Sequence, residues 1–354
     1  MAKRIATYQH IADILSFESS TEALEAALTA PDFDWDAIVM EGSKHLVLPA
    51  LYCRLKSKGL LTVLPEELST YLEEITNINR NRNKVILEQV HWLSTVFNTH
   101  HINHVFLKGA AVLAMDLYDD MAERMIGDID VLVDLEQLDT AYELLIKNNY
   151  TPIPQTLGHD FFEHKHLPRL KTKDFICAVE IHRKLFVSNE NVTLTNTNLI
   201  NNKEKVNDIF VPNHQHLIMH NVLNHQLNDD GYYFSTVNFR SSHESIRLLQ
   251  IEPIKHEQYN DTFIQSYFNL IGIFFKDEVL HLYATKNLRI TFALQRLKYP
   301  TLNHLYFKIL KWWRFIHIII NRSILFVKNS SYRKAILKDR RRISAHLLSF
   351  IKNS

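Results

Sequence analysis

The chain has 354 residues, of which 46% are hydrophobic, and a formal net charge of +1, so it can bury one large core or two smaller ones and is not disordered by composition. Its two cysteines, Cys53 and Cys177, stand far apart with no CxxC or Cys/His pair around them, which argues against a disulfide scaffold or a thiolate zinc site and fits a reducing cytoplasm. Gln9, His10 and Asp13 break the apolar positions of the N-terminal stretch, so no signal-peptide core and no export are expected.

Residues 1–100 read as a helical region. Ile11 and Leu15, then Ala23, Leu24, Ala27 and Leu28, and later Val85, Ile86, Val90, Leu93, Val96 and Phe97 recur at three- and four-residue spacing. Ser19-Ser20-Thr21-Glu22 opens one helix, with Ser20 and Thr21 as caps, and the stretches at Pro31 and Pro65 mark further ends.

The pattern changes near residue 102. His104 to Leu107 reads as a short buried strand ending at Gly109, Ala110–Leu117 as a helix, and Ile129–Val133 as a second strand. Leu138–Ile146 is again helical, and Phe175–His182 reads as a third strand. The expected fold class is therefore α+β: a small mixed β-sheet core over 101–210, flanked by helical regions at 1–100 and 211–300. Helices are expected at His216–Leu227, Ser242–Leu249 and Phe263–Phe275. With seven glycines in the chain and no Gly/Ser linker, the helical parts are expected to pack on the core.

The informative segments are Phe106-Leu107-Lys108-Gly109-Ala110 and Arg124 to Val133. On a strand, positions i and i+2 share a face, so Asp128 and Asp130 project together while Ile129 and Val131 enter the core. Two such carboxylates suit a hard divalent cation bridging nucleotide phosphates, so Mg²⁺ is the expected cofactor, with Mn²⁺ as a substitute. Lys108–Gly109 offers a cation and a bare backbone to a triphosphate, Arg124 a second cation, and Gly127 room for close approach. Glu180 and His182 share a face of the third strand. Glu180 can complete a carboxylate triad, either as a metal ligand or as a base toward an acceptor hydroxyl.

Together these segments resemble the DNA polymerase beta-type nucleotidyltransferase superfamily, and within it a branch of uncharacterised bacterial nucleotidyltransferases with a Lys-Gly motif. The likeness spans about residues 40–250 and includes His45-Leu46-Val47-Leu48-Pro49-Ala50-Leu51, Leu107 to Ala110, Arg124, Asp128 to Val133, and Val179-Glu180-Ile181-His182. It implies that Asp128, Asp130 and Glu180 form the catalytic, metal-binding set and that Gly109 marks the nucleotide turn. The reaction it implies is transfer of a nucleoside monophosphate from an NTP to a hydroxyl or phosphate acceptor, such as a small molecule, a sugar, or a peptide or lipid-linked precursor, with pyrophosphate leaving. The alternative is a catalytically inactive nucleotide-binding adaptor of the same fold.

The chain departs from the superfamily pattern in three places. Ala110 stands where a serine or glycine is usual, the interval from Gly109 to Asp128 is long, and Glu244 follows Arg240 where the branch commonly has an aspartate. Lys108, Gly109, Ala110, Arg124, Gly127, His182 and Arg240 are the expected nucleotide contacts.

His159, His164 and His166 cluster in one loop, and His214, His216, His220 and His225 along a later helix. His216 and His220 have ligand spacing, but no HExxH glutamate lies between them and no third ligand is apparent, so surface or acceptor-pocket roles are expected. Residues 301–354 form a basic amphipathic segment with 12 Lys/Arg against one acid, Asp339, whereas residues 1–300 hold 28 against 38. Its apolar stretch is interrupted by Arg314, His317, Asn321 and Arg322 and is too short to span a bilayer. Two readings remain: a peripheral contact of residues 312–342 with the inner membrane face, or a packed helix with a solvated basic tail. The short run Arg340-Arg341-Arg342 lacks an aromatic platform for bases, which argues against nucleic acid.

Overall fold

A computed structural model describes residues 3–18, 21–153, 161–162, 164–187, 192–283 and 287–345. By backbone proximity the chain separates into two compact units, one made of Ala2–Ile153 with Lys165–Ala293, the other of Pro154–His164 with Leu294–Ser354 and Met1.

The larger unit is built on a five-stranded sheet in the order β1-β2-β5-β4-β3, with β1 His104–Phe106, β2 Asp128–Val133, β3 Thr151–Pro152, β4 Leu170–Lys171 and β5 Ala178–His182. The sheet is mixed: β2 and β5 run parallel, while β1, β4 and β3 pair antiparallel to their neighbours. Val105, Ile129, Val131, Leu132, Val179 and Ile181 are all buried, as strands covered on both faces require. β6 Lys203–Val206 and β7 Ile209–Pro212 form a separate two-stranded ribbon. With helical regions on either side in sequence, this is the expected α+β class.

Three strands were legible from the sequence, and their ends differ slightly. β1 stops at Phe106, because Lys108 already opens the helix Lys108–Ala114, and β5 begins at Ala178 rather than Phe175. Two-residue β3 and β4 and the polar ribbon carry no periodic signal. The expected helix His216–Leu227 is the helix His214–Leu223 continued by a π-turn, Asn224–Asn228, and Phe263–Phe275 ends as a helix at Ile271. Asn213, Asn238 and Asp261 start the helices at 214, 239 and 262 by accepting backbone N–H bonds. Of the expected cap Ser19-Ser20-Thr21, Ser19 and Ser20 lie outside the described residues; the helix Thr21–Leu28 carries Glu22 in its first turn.

The long helix Glu66–Thr99 positions the sheet's entry points. Its inner face holds not only Leu72, Ile86, Val90, Leu93 and Phe97 but also buried Thr76, Asn79, Asn83, Gln89 and Ser94. Buried polar groups must find partners; Thr76 donates to Leu72 O one turn back in its own helix, and the others find loop backbone. Asn79 and Asn83 donate to the carbonyls of Ala122, Met121 and Arg124, and Arg82 donates to Ile126 O at 3.0 Å. Gln89 both donates to Cys177 O and accepts from Cys177 N. One helix face thus fixes the segments that lead into β2 and β5.

The smaller unit contains the helices Pro300–Lys328 and Ser330–Lys338. Within it Tyr332 is buried against Phe161 and Phe162, and the Arg322 guanidinium lies over the Phe162 ring. Leu305, Ile309, Trp313, Ile316, Ile320, Ile324 and Val327 are exposed. Among the described residues no helix is long and apolar enough to cross a membrane.

Candidate active site

Register builds the site. In the parallel pairing of β2 with β5, Asp130 stands opposite Glu180 and Leu132 opposite His182. Strand alternation puts Asp128, Asp130, Glu180 and His182 on one face. Leu107 N donates to Asp130 O at 2.9 Å, closing β1 onto β2 and delivering the next residue, Lys108, to the same place.

Lys108 takes a left-handed backbone conformation, with φ of 50°, which is strained for a residue with a side chain. Its Nζ donates to Asp130 Oδ1 at 2.6 Å. Gly109 follows within the helix, where a Cβ would come within 2.7 Å of Ile126 Cγ1. The glycine is therefore required by close packing, and the unusual backbone belongs to the lysine. Ala110 is buried. A Cβ on Gly127 would meet nothing within 4 Å, so the protein itself does not demand glycine there.

Asp130 is 3% exposed and is also met by His182 Nε2 at 2.8 Å. Burial opposes its ionisation, but Lys108 and His182 outweigh burial and hold its carboxyl far below the usual carboxylate range. Burial likewise opposes charge on Lys108 and His182, and both are nonetheless raised by the carboxylates they face. His182 Nε2 lies 3.5 Å from Glu180 Oε2, and that contact outweighs burial to lower the Glu180 carboxyl. Asp128 is shifted the other way, raised by burial and by the charges of Asp130 and Glu180.

Arg169, which no spacing argument singled out, and His166, read from the sequence only as one of a loop cluster of histidines, complete the face. Arg169 NH2 donates to Asp128 Oδ2 at 2.9 Å. Its Nε lies 3.0 Å from Glu180 Oε1 without being aligned for a hydrogen bond, so that contact is Coulombic. His166 Nε2 lies 3.6 Å from Glu180 Oε2. Both sit on the segment that runs beside β5 through Leu167 N to Ile181 O and Arg183 N to Lys165 O. The sequence offers no motif for them, because sheet pairing and not local order brings them in. His164 is described but belongs to the smaller unit, and His159 lies outside the described residues.

Arg124 points elsewhere. Its Nε donates to Glu244 Oε2 at 2.7 Å, both side chains being buried. Next to this pair Glu123 meets His243 Nε2 at 2.8 Å, and Phe17 and Tyr118 stack on the two sides of the His243 ring. Arg240, one turn before Glu244, forms no ion pair or hydrogen bond among the described residues and feels Glu244, Asp229 and Asp128 only through space. The residues expected to meet a nucleotide thus fall in two groups, with Lys108 next to the acids and Arg124 and Arg240 on the side of the helix Phe239–Ile251.

Asp130, Glu180 and His182 offer ligand atoms that all lie within 4.8 Å of one another, the one such set among the described residues. Two carboxylate oxygens and an imidazole nitrogen are a donor set that could coordinate a divalent cation. The sequence expectation named Asp128 as a ligand in place of His182. Asp128 shares the face, and its carboxylate is engaged by Arg169.

A small mixed sheet that presents paired acids on two parallel neighbours, beside a lysine at a helix start, defines a nucleotidyltransferase-type core. The chain belongs to the family described as uncharacterised nucleotidyltransferase, whose profile matches residues 31–242. The match takes in the helix Glu66–Thr99, the whole sheet and Arg240, and stops short of Glu244 and of the C-terminal helices. No curated protein matches the chain.

Proposed function

We propose that the protein transfers a nucleoside monophosphate from an NTP to a hydroxyl or phosphate on an acceptor, releasing pyrophosphate, with Mg²⁺ as the cofactor and Mn²⁺ as its substitute. The observation that carries this reading is the register pairing of Asp130 with Glu180 next to Lys108. Asp130 and Glu180 are held ionised, the form in which they could hold a divalent cation together with Asp128 or His182. When bound, the cation supplies charge stabilisation at the attacking and leaving oxygens.

The chain's own residues do the rest by positioning and charge. His182 orients Asp130 by the hydrogen bond to its Oδ1. Lys108, Arg124 and Arg240 supply cations for the nucleotide, and the open space over Gly127 gives it room. Glu180 acts as a ligand in this scheme, since its lowered pKa suits a permanent carboxylate better than a base.

The acceptor is a small molecule, a sugar, or a peptide or lipid-linked precursor in the cytoplasm. The exposed apolar residues of the helix Pro300–Lys328 and the basic residues that follow support a peripheral contact with anionic lipid through residues 312–342. The decisive experiment incubates the protein with each α-labelled NTP and a cell extract, and identifies by mass spectrometry whatever gains a nucleotidyl group. Transfer of label that needs Mg²⁺ and Asp130 supports the reading. Tight NTP binding with no labelled product from any nucleotide overturns it in favour of an adaptor.

A further inference from the structure

The acid face of the sheet does not end at Glu180. Four steps of chain lead from His166 to Leu170, but three lead from Val179 to His182, the residues they pair with. The extra residue makes a β-bulge, and Pro168, which has no N–H to give to a ladder, lies within it. On a regular strand His166 and Arg169 would face opposite ways, being an odd number of residues apart. The bulge turns both toward the acids, where they make the contacts described above.

Past the bulge the pairing is regular and brings a further cation to the same face. Leu170 and Val179 are paired and both fully buried. Lys171 therefore stands on the other, acid-bearing side, next to Ala178, which pairs with Asp128, and opposite Thr151. Asp128, Ala178, Lys171 and Thr151 form one row across four strands, with the Lys171 backbone two strands, or about 10 Å, from that of Asp128. Exposure rises along the sheet. Asp130 is 3% exposed, the side chains of Asp128 and Arg169 are 32% and 39% exposed, and Lys171 and Thr151 lie open to solvent. The short side chain of Ala178 keeps the floor between Asp128 and Lys171 low. The Lys171 ammonium forms no ion pair or hydrogen bond among the described residues. Lys108 and His182 cover Asp130, so a reactant that comes to the acids from the open side passes over Arg169 and Lys171.

We propose that the acceptor enters over β4 and β3 and bears a phosphate monoester, with Arg169 and Lys171 as the pair of cations that hold it. The proposal rests on the transfer reading above and deepens it by naming the acceptor's charge and its side of approach. Arg169 is engaged by Asp128 and Glu180. A divalent cation neutralises those acids and frees the guanidinium, whose planar fork suits phosphate oxygens, while Lys171 adds a point charge. An uncharged acceptor would leave both cations without counter-charge.

The test is calorimetric titration of β-glycerophosphate, and of a soluble short-chain phosphatidic acid, into the full chain with Mg²⁺ and a saturating non-hydrolysable ATP analogue. Glycerol is the uncharged control. The expected result is that both phosphates bind and glycerol does not, that Lys171→Gln weakens binding about fivefold and Lys171→Glu more, and that removing Mg²⁺ weakens it too. Affinity for the ATP analogue should stay the same in both Lys171 variants. Either order of the two phosphates supports the proposal, tighter binding of the phosphatidic acid marking a lipid-borne phosphate and tighter binding of β-glycerophosphate a soluble one. Thermal melts check that each variant is folded, and the glutamine variant serves if the glutamate variant is not. No binding of either phosphate, affinity unchanged in both Lys171 variants, or glycerol binding as tightly as its phosphate overturns the proposal. If a labelled product is found and its rate of formation ignores Lys171→Glu, the acceptor assignment falls and the transfer reading stands. If phosphate binding depends on Lys171 but no nucleotide yields a product, the anion site stands and the transfer reading falls.

Discussion

Asp130 and Glu180 occupy the same register position on adjacent parallel strands, both almost fully buried, and one lysine and two histidines hold their charge in place. Two buried carboxylates side by side are tolerated because Lys108 and Arg169 lie against them and the His182 imidazole meets both. Perturbing one member therefore has consequences for the others.

Replacing Asp130 with alanine should abolish the metal-dependent part of NTP binding. It removes the acid common to the Lys108, His182 and metal-ligand contacts, leaving Lys108 facing only the more distant Asp128 and Glu180. Calorimetric titration of ATP with and without Mg²⁺ checks this. Equal affinity under both conditions in the wild-type protein would contradict the metal assignment itself.

Arg169→Gln should raise the affinity for Mn²⁺ alone by a few-fold. The guanidinium spans Asp128 and Glu180, and a partly exposed ion pair of this kind is worth up to about 1 kcal/mol, which an incoming cation must displace. Electron paramagnetic resonance of free Mn²⁺ reads the change. A fall in affinity would mean that Arg169 instead holds the acids in their binding geometry.

Breaking the Arg124–Glu244 pair with Glu244→Ala should destabilise the fold by about 3 kcal/mol, because it leaves a buried guanidinium without its counter-charge. Glu244→Gln, which keeps an oxygen for Arg124 Nε to donate to, should cost less. Urea denaturation of both variants measures the order. Equal small losses would show that Arg124 finds another partner.

His104 gives the fold a pH dependence far from the acids. Burial pushes its pKa down from 6.5 to about 4, and its Nδ1 donates to Ile102 O within a ring of Phe97, Phe106 and Phe210. Between those two values the unfolded chain binds the extra proton, so stability rises with pH through that window and is fully in place above 6.5. At pH 5 the loss from this one group is on the order of 2 kcal/mol. Urea midpoints at pH 5 and pH 7 should converge in His104→Phe relative to wild type. An unaltered difference would place the acid sensitivity elsewhere, on His45 or His220, which burial lowers to about 4 and about 3.

Deleting residues 328–354 should weaken sedimentation with vesicles containing anionic lipid, more at low salt than at high salt, while leaving binding to neutral vesicles unchanged. The basic residues that follow the helix Pro300–Lys328 would supply the attraction, and its exposed Trp313, Ile316 and Ile320 the insertion. Sedimentation that does not respond to the deletion or to salt would leave the basic segment as a solvated tail.

How much of this was legible in sequence depends on the range of the interaction. Asp128, Asp130, Glu180 and His182 could be read because strand alternation is local, and a period of two states which side chains share a face. Lys108–Gly109 was visible as a turn between a strand and a helix, but not that the left-handed residue would be the lysine while Gly109 answers to the packing of Ile126. Gln89, Asn79 and Asn83 look like an ordinary polar helix face. Only the tertiary fold shows them buried against the loops they hold.

The sequence by itself determined the fold class, the central strands and the acids on them, because hydrophobic periodicity and strand pleat are properties of neighbouring residues. Tertiary structure decided the rest: that Asp130 pairs in register with Glu180, that Arg169 and His166 arrive from a separate segment, and that Arg124 turns to Glu244 and leaves Arg240 unpaired. Each is a contact between residues distant in the chain, whose partners are chosen by strand order and helix packing, and no local spacing encodes that choice.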